Sequence, residues 1–118
     1  GAAGLTSSSI EMASKGKLGI EINLDKVPCR ETKMTPYEIM LSESQERMLI
    51  VLDNGKENLA KKIFDKWGLD FAVIGKTTNT KNIELFFNSE QVAKIPINIL
   101  VENSPMYDRK WKQTKLTK

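Results

Sequence analysis

Between Leu18 and Leu24 the apolar residues Leu18, Ile20, Ile22 and Leu24 alternate with Gly19, Glu21 and Asn23. Successive side chains of an extended strand point to opposite faces, so this stretch buries one face and leaves the other polar. Such a strand needs a sheet that is covered on one side. Downstream, Lys81 to Phe87 and Gln91 to Ile95 read as a hairpin around Asn88-Ser89-Glu90, and Phe71 to Ile74 as another strand. The run from Arg47 through Met48-Leu49-Ile50-Val51-Leu52 is continuous and apolar, which predicts a central strand covered on both faces.

Helical signals fall between these strands. Ser8 and Glu11 have the spacing of a capping box, predicting a short helix to about Lys15, stopped by Gly16. Thr35-Pro36-Tyr37-Glu38 combines an N-cap, a proline at the first helical position and a glutamate three residues after the cap, so a helix starts there and ends near Ser42. Asp53-Asn54-Gly55 turns the chain. From Lys56 to Trp67, Leu59, Ala60, Ile63, Phe64 and Trp67 form one stripe at helical spacing, read as core packing, and Gly68 closes the helix. Pro96 marks the end of the sheet, with Ile97 to Val101 a short turn or helix. The fold class is α/β, or α+β, with a mixed sheet of about four or five strands and two or three helices.

The 118 residues provide for one domain with a modest core, burying about two thirds of the unfolded surface. No apolar run approaches the roughly 18 residues of a membrane span and no signal-peptide pattern appears, so a cytoplasmic protein without membrane contact is expected. Cys29, the single cysteine, excludes an intramolecular disulfide, and with no histidine in the chain a thiol–imidazole pair is impossible. The same lack removes the common zinc patterns and leaves carboxylates as the strong ligands for a hard cation. The net charge of +3 is a property of the tail: Arg109, Lys110, Lys112, Lys115 and Lys118 are five of the 18 basic residues, and without them 13 bases face 15 acids. That segment, with Trp111 among its lysines, has weak nucleic-acid character but lacks apolar periodicity. Residues 105–118 therefore read as a basic linker or tail, and nucleic acid is not the expected partner.

Directly before the apolar run stands the polar cluster Ser42-Glu43-Ser44-Gln45-Glu46-Arg47. If the extended conformation begins there, Glu43, Gln45 and Arg47 project one way and Ser44, Glu46 and Met48 the other. One face then carries a carboxylate, an amide and a guanidinium, a set that can bind a polar small molecule, with the arginine able to lock a carboxylate bidentately. Glu46 and Arg47 as a solvated ion pair, with Ser42 as a helix terminus, account for the spacing more simply.

The string Ser-Glu-Ser-Gln-Glu-Arg-Met-Leu at 42–49, taken with Gly1-Ala2-Ala3-Gly4-Leu5-Thr6-Ser7-Ser8-Ser9 and Val27-Pro28-Cys29-Arg30-Glu31, resembles phosphoribosylformylglycinamidine synthase, specifically its synthetase subunit or region. Met34-Thr35-Pro36-Tyr37-Glu38, Ala72-Val73-Ile74-Gly75 and Pro105-Met106-Tyr107-Asp108-Arg109 agree in order and spacing. The likeness runs from Gly1 to about Arg109. It corresponds to the later part of the second α/β domain in the first half of that synthetase, so residues 1–104 are expected to be a partial AIR-synthetase-like C-terminal domain within a larger enzyme.

The resemblance implies a chemistry. In such enzymes ATP activates the amide oxygen of formylglycinamide ribonucleotide, and ammonia from a glutaminase displaces the phosphate to give the amidine. Glu43, Ser44 and Gln45 align with residues that contact the ribonucleotide, where they would place the substrate rather than move protons. The loop Gly1 to Gly4 is expected to neighbour that site. No catalytic residue and no metal ligand carries over, so ATP and magnesium belong to the complete enzyme and none is expected on this piece. Its partners would be the rest of the synthetase and the glutaminase subunit or domain. Alone, the chain is expected to be inactive and to self-associate. A binding or scaffold module that reuses the fold without catalysis is the alternative.

Overall fold

The computed structural model describes residues 4–43, 47–102, 105 and 107–113. Helix α1, Gly4–Gly16, comes first. It starts four residues before the expected cap: Ser8 lies inside it, its hydroxyl donating back to the carbonyls of Gly4 and Leu5. Serine can satisfy itself on the preceding turn, so its spacing from Glu11 does not mark a terminus. At the other end Lys17 adopts a left-handed φ of 53°, and the Lys17 and Leu18 amides donate to Ser14 and Ala13. These two bonds close the helix in a Schellman motif.

Strand β1, Gly19–Asn23, follows with the expected alternation. A 3-10 turn, Leu24–Lys26, is capped by the Asn23 side chain. Helix α2, Pro36–Leu41, carries the expected capping box of Thr35 and Glu38 and has Ser42 as its C-cap. Helix α3 spans Glu57–Lys66, after a turn in which Gly55 takes a φ of 82°. Gly68, with a φ of 65°, ends it in a second Schellman motif through bonds from Gly68 and Leu69 to Asp65 and Phe64. Strands β2 (Gly75–Thr78), β3 (Asn82–Phe87) and β4 (Glu90–Pro96) and helix α4 (Ile97–Val101) complete the described elements. Asn88 and Ser89 both have positive φ, as a two-residue type I′ hairpin requires.

The four strands form one mixed sheet in the order β2-β1-β3-β4, with β1 parallel to β3 and the other neighbours antiparallel. Thus β1 lies between β2 and β3, which follow each other in sequence, and the short 79–81 connection spans the start of β1. Gly19 sits beneath it: a Cβ there would run into the hydroxyls of Thr78 and Thr80 and the carbonyl of Asn82. On the inner face Ile20, Ile22, Ile83 and Leu85 pack with Leu5, Ile10 and Ala13 of α1, Ile39 and Met40 of α2, and Ile97 of α4. Ser9 is fully buried among them, its hydroxyl donating to the Leu5 carbonyl at 2.7 Å. The outer face carries charge, with Lys76, Glu21, Glu84 and Lys94 in register across all four strands.

Two expected strands are absent. Residues 47–52 form none; Met48 is 80% exposed, and Ile50 and Val51 are half exposed. The run pairs with neither edge strand, β2 or β4, although Leu49 packs against the core. Phe71 to Ile74 is likewise not a strand; it leads into β2, and the Ile74 carbonyl accepts from the Asn23 amide. The stripe on α3 is not core either. Ala60 is buried and Phe64 stacks on Phe71 with centroids 5.4 Å apart, but Leu59, Ile63 and Trp67 are more than half exposed. Among the described residues there are four α-helices, the last at Ile97–Val101, where the sequence suggests a short turn or helix. None of their helices is long and apolar enough to cross a membrane.

Candidate functional site

Three segments converge where α2 ends. The Thr35 hydroxyl accepts from the Glu38 amide, and the Glu38 carboxylate accepts from the Thr35 amide at 2.7 Å. The Thr35 backbone N–H, aided by its hydroxyl, holds the Glu38 carboxyl below its ordinary value of 4.5, so the cap stays charged. Four residues after Glu38, Ser42 turns out of the helix with extended backbone (φ −61°, ψ 125°), its amide still donating to the Glu38 carbonyl at 2.8 Å. Glu43 follows directly and is exposed.

The Ser42 carbonyl is held from two sides. Arg47 donates to it through Nη2 at 3.0 Å and to the Pro28 carbonyl through Nη1 at 3.3 Å. From the other side comes Gly4, at a φ of 68°, so close that a Cβ there would stand 2.9 Å from the Ser42 oxygen and 3.3 Å from that of Met40. Thr6 strengthens this junction by donating to the Met40 carbonyl at 2.6 Å. The amino end of α1 therefore abuts the carboxyl end of α2, with Gly4 against the carbonyls of Met40, Leu41 and Ser42.

Of the residues expected to contact substrate, Glu43 is described, whereas Ser44 and Gln45 lie outside the described residues, as do Gly1 to Ala3. The shared face of Glu43, Gln45 and Arg47 runs through residues 44–46, outside the described residues, and no strand follows at 47–52. Arg47 was read as a lock for a carboxylate; two of its bonds go to main-chain carbonyls. Carbonyl acceptors exist at every residue and leave no trace in the sequence, which is why the pairing was missed. Thr6 gave no signal for the same reason, while Gly4 was visible as a glycine ahead of a helix.

Beside the junction is a small hollow lined by Cys29, Arg30, Glu31, Met34, Ile39, Ser42 and Arg47. Cys29 is an exposed free thiol at its rim, with Sγ 3.3 Å from the Val27 carbonyl. Among the described residues no three carboxylate, thiol or imidazole groups come together. The arrangement can hold a short polar segment in place.

Residues 1–88 match the family described as AIR synthase related protein, C-terminal domain. The phosphoribosylformylglycinamidine synthase subunit PurL of Pelagibacter ubique is 81% identical over all 118 residues, which span 16% of that protein's length. A structure of T. maritima PurL complexed with FGAR superposes with a TM-score of 0.82 at 33% identity, covering 99% of this chain and 19% of the other. T. maritima PurL complexed with ATP gives 0.78 at 31%, covering 98% and 21%.

Proposed function

The chain belongs to the C-terminal domain family of AIR synthase related proteins, and from that premise we propose that it works as part of a phosphoribosylformylglycinamidine synthase, contributing contacts to formylglycinamide ribonucleotide. In such an enzyme ATP supplies the phosphoryl group that activates the amide oxygen, and ammonia from a glutaminase completes the amidine. This chain places the substrate. Glu43 accepts from its hydroxyl or amide groups, while Ser44 and Gln45 donate to its oxygens.

The convergence of Gly4, Arg47 and the end of α2 on one carbonyl is the observation that carries the reading, because it fixes where Glu43 leaves the fold. A relative complexed with FGAR, similar over 99% of this chain, supports the substrate class. The exposed apolar residues Met48, Ile50 and Val51 support assembly with the rest of a synthetase, which would cover them. Residues 1–104 then form the domain and 105–118 the linker. ATP and magnesium are held by other parts of the complete cytoplasmic enzyme, and the chain alone is inactive.

Alanine at Glu43 or Gln45 in the complete enzyme tests this. Losing a hydrogen bond to a charged group costs about 1.5–3 kcal/mol, so kcat/KM for the ribonucleotide should fall roughly ten- to a hundredfold while thermal unfolding is unchanged. Near-normal kinetics for both variants would overturn the contact assignment and favour a non-catalytic module.

A further inference from the structure

We propose that Arg47 is a positioning residue for the ribonucleotide site: by holding the Ser42 carbonyl it fixes the peptide plane from which Glu43 projects. The inference rests on the substrate-contact reading and adds a residue to it.

A peptide unit is planar, so the Ser42 carbonyl and the Glu43 amide nitrogen belong to one rigid group. Whatever orients the oxygen also orients the first atoms of Glu43. Ser42 is the C-cap of α2, and the last carbonyls of a helix lack partners within it. Arg47 supplies a donor there at 3.0 Å, and its second nitrogen reaches the Pro28 carbonyl, 19 positions away in sequence, at 3.3 Å. One planar cation thus ties the end of α2 to the loop after Val27. A guanidinium suits this task because its donors are fixed in a fork, so satisfying two acceptors sets their relative orientation.

Independent features show that the location of this carbonyl matters to the fold. Gly4 leaves room for the same oxygen, since a Cβ there would stand 2.9 Å from it, and the Ser42 amide is anchored at 2.8 Å to the Glu38 carbonyl. The Ser42–Glu43 peptide is therefore confined along its length, yet Glu43 itself is exposed. A solvent-facing side chain on an immobilised peptide is suited to meeting a ligand, since little further ordering is needed on binding.

A double-mutant cycle in the complete enzyme tests the proposal, with Arg47→Ala, Glu43→Ala and the pair. Arg47→Ala is expected to raise KM for formylglycinamide ribonucleotide roughly tenfold and to leave KM for ATP unchanged. If Arg47 acts through Glu43, the double variant is no worse than Glu43→Ala alone. Should Arg47→Ala fold too poorly for kinetics, Arg47→Lys carries the same test, because it keeps the charge and loses the fork. Additive losses, or equal rises in KM for both substrates, would overturn the proposal. A rise in KM for Glu43→Ala with none for Arg47→Ala overturns the positioning role alone; no effect of Glu43→Ala removes the contact reading and the positioning role together.

Discussion

Lys94 reaches across the β3–β4 ladder to Glu84, with Nζ 3.2 Å from Oε1. The Thr80 hydroxyl donates to the other carboxylate oxygen at 3.2 Å, and the Glu84 side chain is only 12% exposed. On the neighbouring strand Glu21 stands in register with Glu84, and Lys76 approaches it to 3.4 Å. Each carboxylate thus has its own lysine, which offsets the repulsion between like charges on adjacent strands. The Lys94 hydrogen bond is the main cause that holds the Glu84 carboxyl below its ordinary value of 4.5, against partial desolvation.

This predicts a pH dependence with a definite sign. A carboxyl whose value is lowered on folding stabilises the fold above its unfolded value, and that contribution is lost as pH falls through the folded value. Urea unfolding should show the protein more stable than Glu84→Gln at neutral pH, with the gap closing as the solution is acidified below 4.5. A gap of constant size would count against the pairing.

Thr35→Ala removes the N-cap of α2 and one donor to Glu38. The expected cost is about 1 kcal/mol, with Thr35→Ser nearly neutral because it keeps the hydroxyl. Denaturant midpoints of the two variants decide it. Equal losses would mean that the methyl group, not the cap, is what matters.

Gly4 and Gly55 make a controlled comparison. Both have left-handed φ, but a Cβ at Gly4 meets three carbonyls while one at Gly55 meets nothing within 4 Å. Left-handed backbone alone costs a non-glycine residue about 1–2 kcal/mol. Gly55→Ala should show about that loss, and Gly4→Ala clearly more, together with a higher KM for the ribonucleotide in the complete enzyme. Equal destabilisation by calorimetry would show that the contact with Ser42 relaxes freely.

Produced alone, the chain exposes Met48, Val51, Leu59, Ile63 and Trp67. Apolar surface on this scale favours self-association. Light scattering should report a mass that rises with concentration, and Met48→Lys with Ile63→Lys should reduce the rise. A monomer throughout a wide concentration range would count against it.

What could be read from the sequence was what local physics decides. The Thr35–Glu38 cap and the alternation at Ile20 and Ile22 depend on neighbours a few positions away and appear as expected, and the hairpin read around Asn88-Ser89-Glu90 forms with Glu90 already in β4. Strand β2 was missed because Gly75-Lys76-Thr77-Thr78 is a mostly exposed edge whose state is set by pairing with β1, not by its own composition. The run from Met48 to Leu52 erred the other way: apolar residues record that burial is needed but not what provides it. At the candidate site, Glu43 stands out in the sequence through its motif, whereas the grip of Arg47 on a backbone oxygen has no residue code.

The placement of β1 also bears on how the chain is made. Synthesis proceeds from the amino end, so β1 leaves the ribosome before either strand that will flank it. Ile20 pairs with Ile83, and the hairpin amide of Asn88 that bonds Asp25 comes 63 positions after its acceptor. At about 5–20 residues per second the wait is roughly 3–13 s. Through that interval Ile20, Ile22 and Leu24 lack the strands that later enclose them, so the nascent chain carries an adhesive segment that chaperones or the α1 helix must shield until β3 emerges.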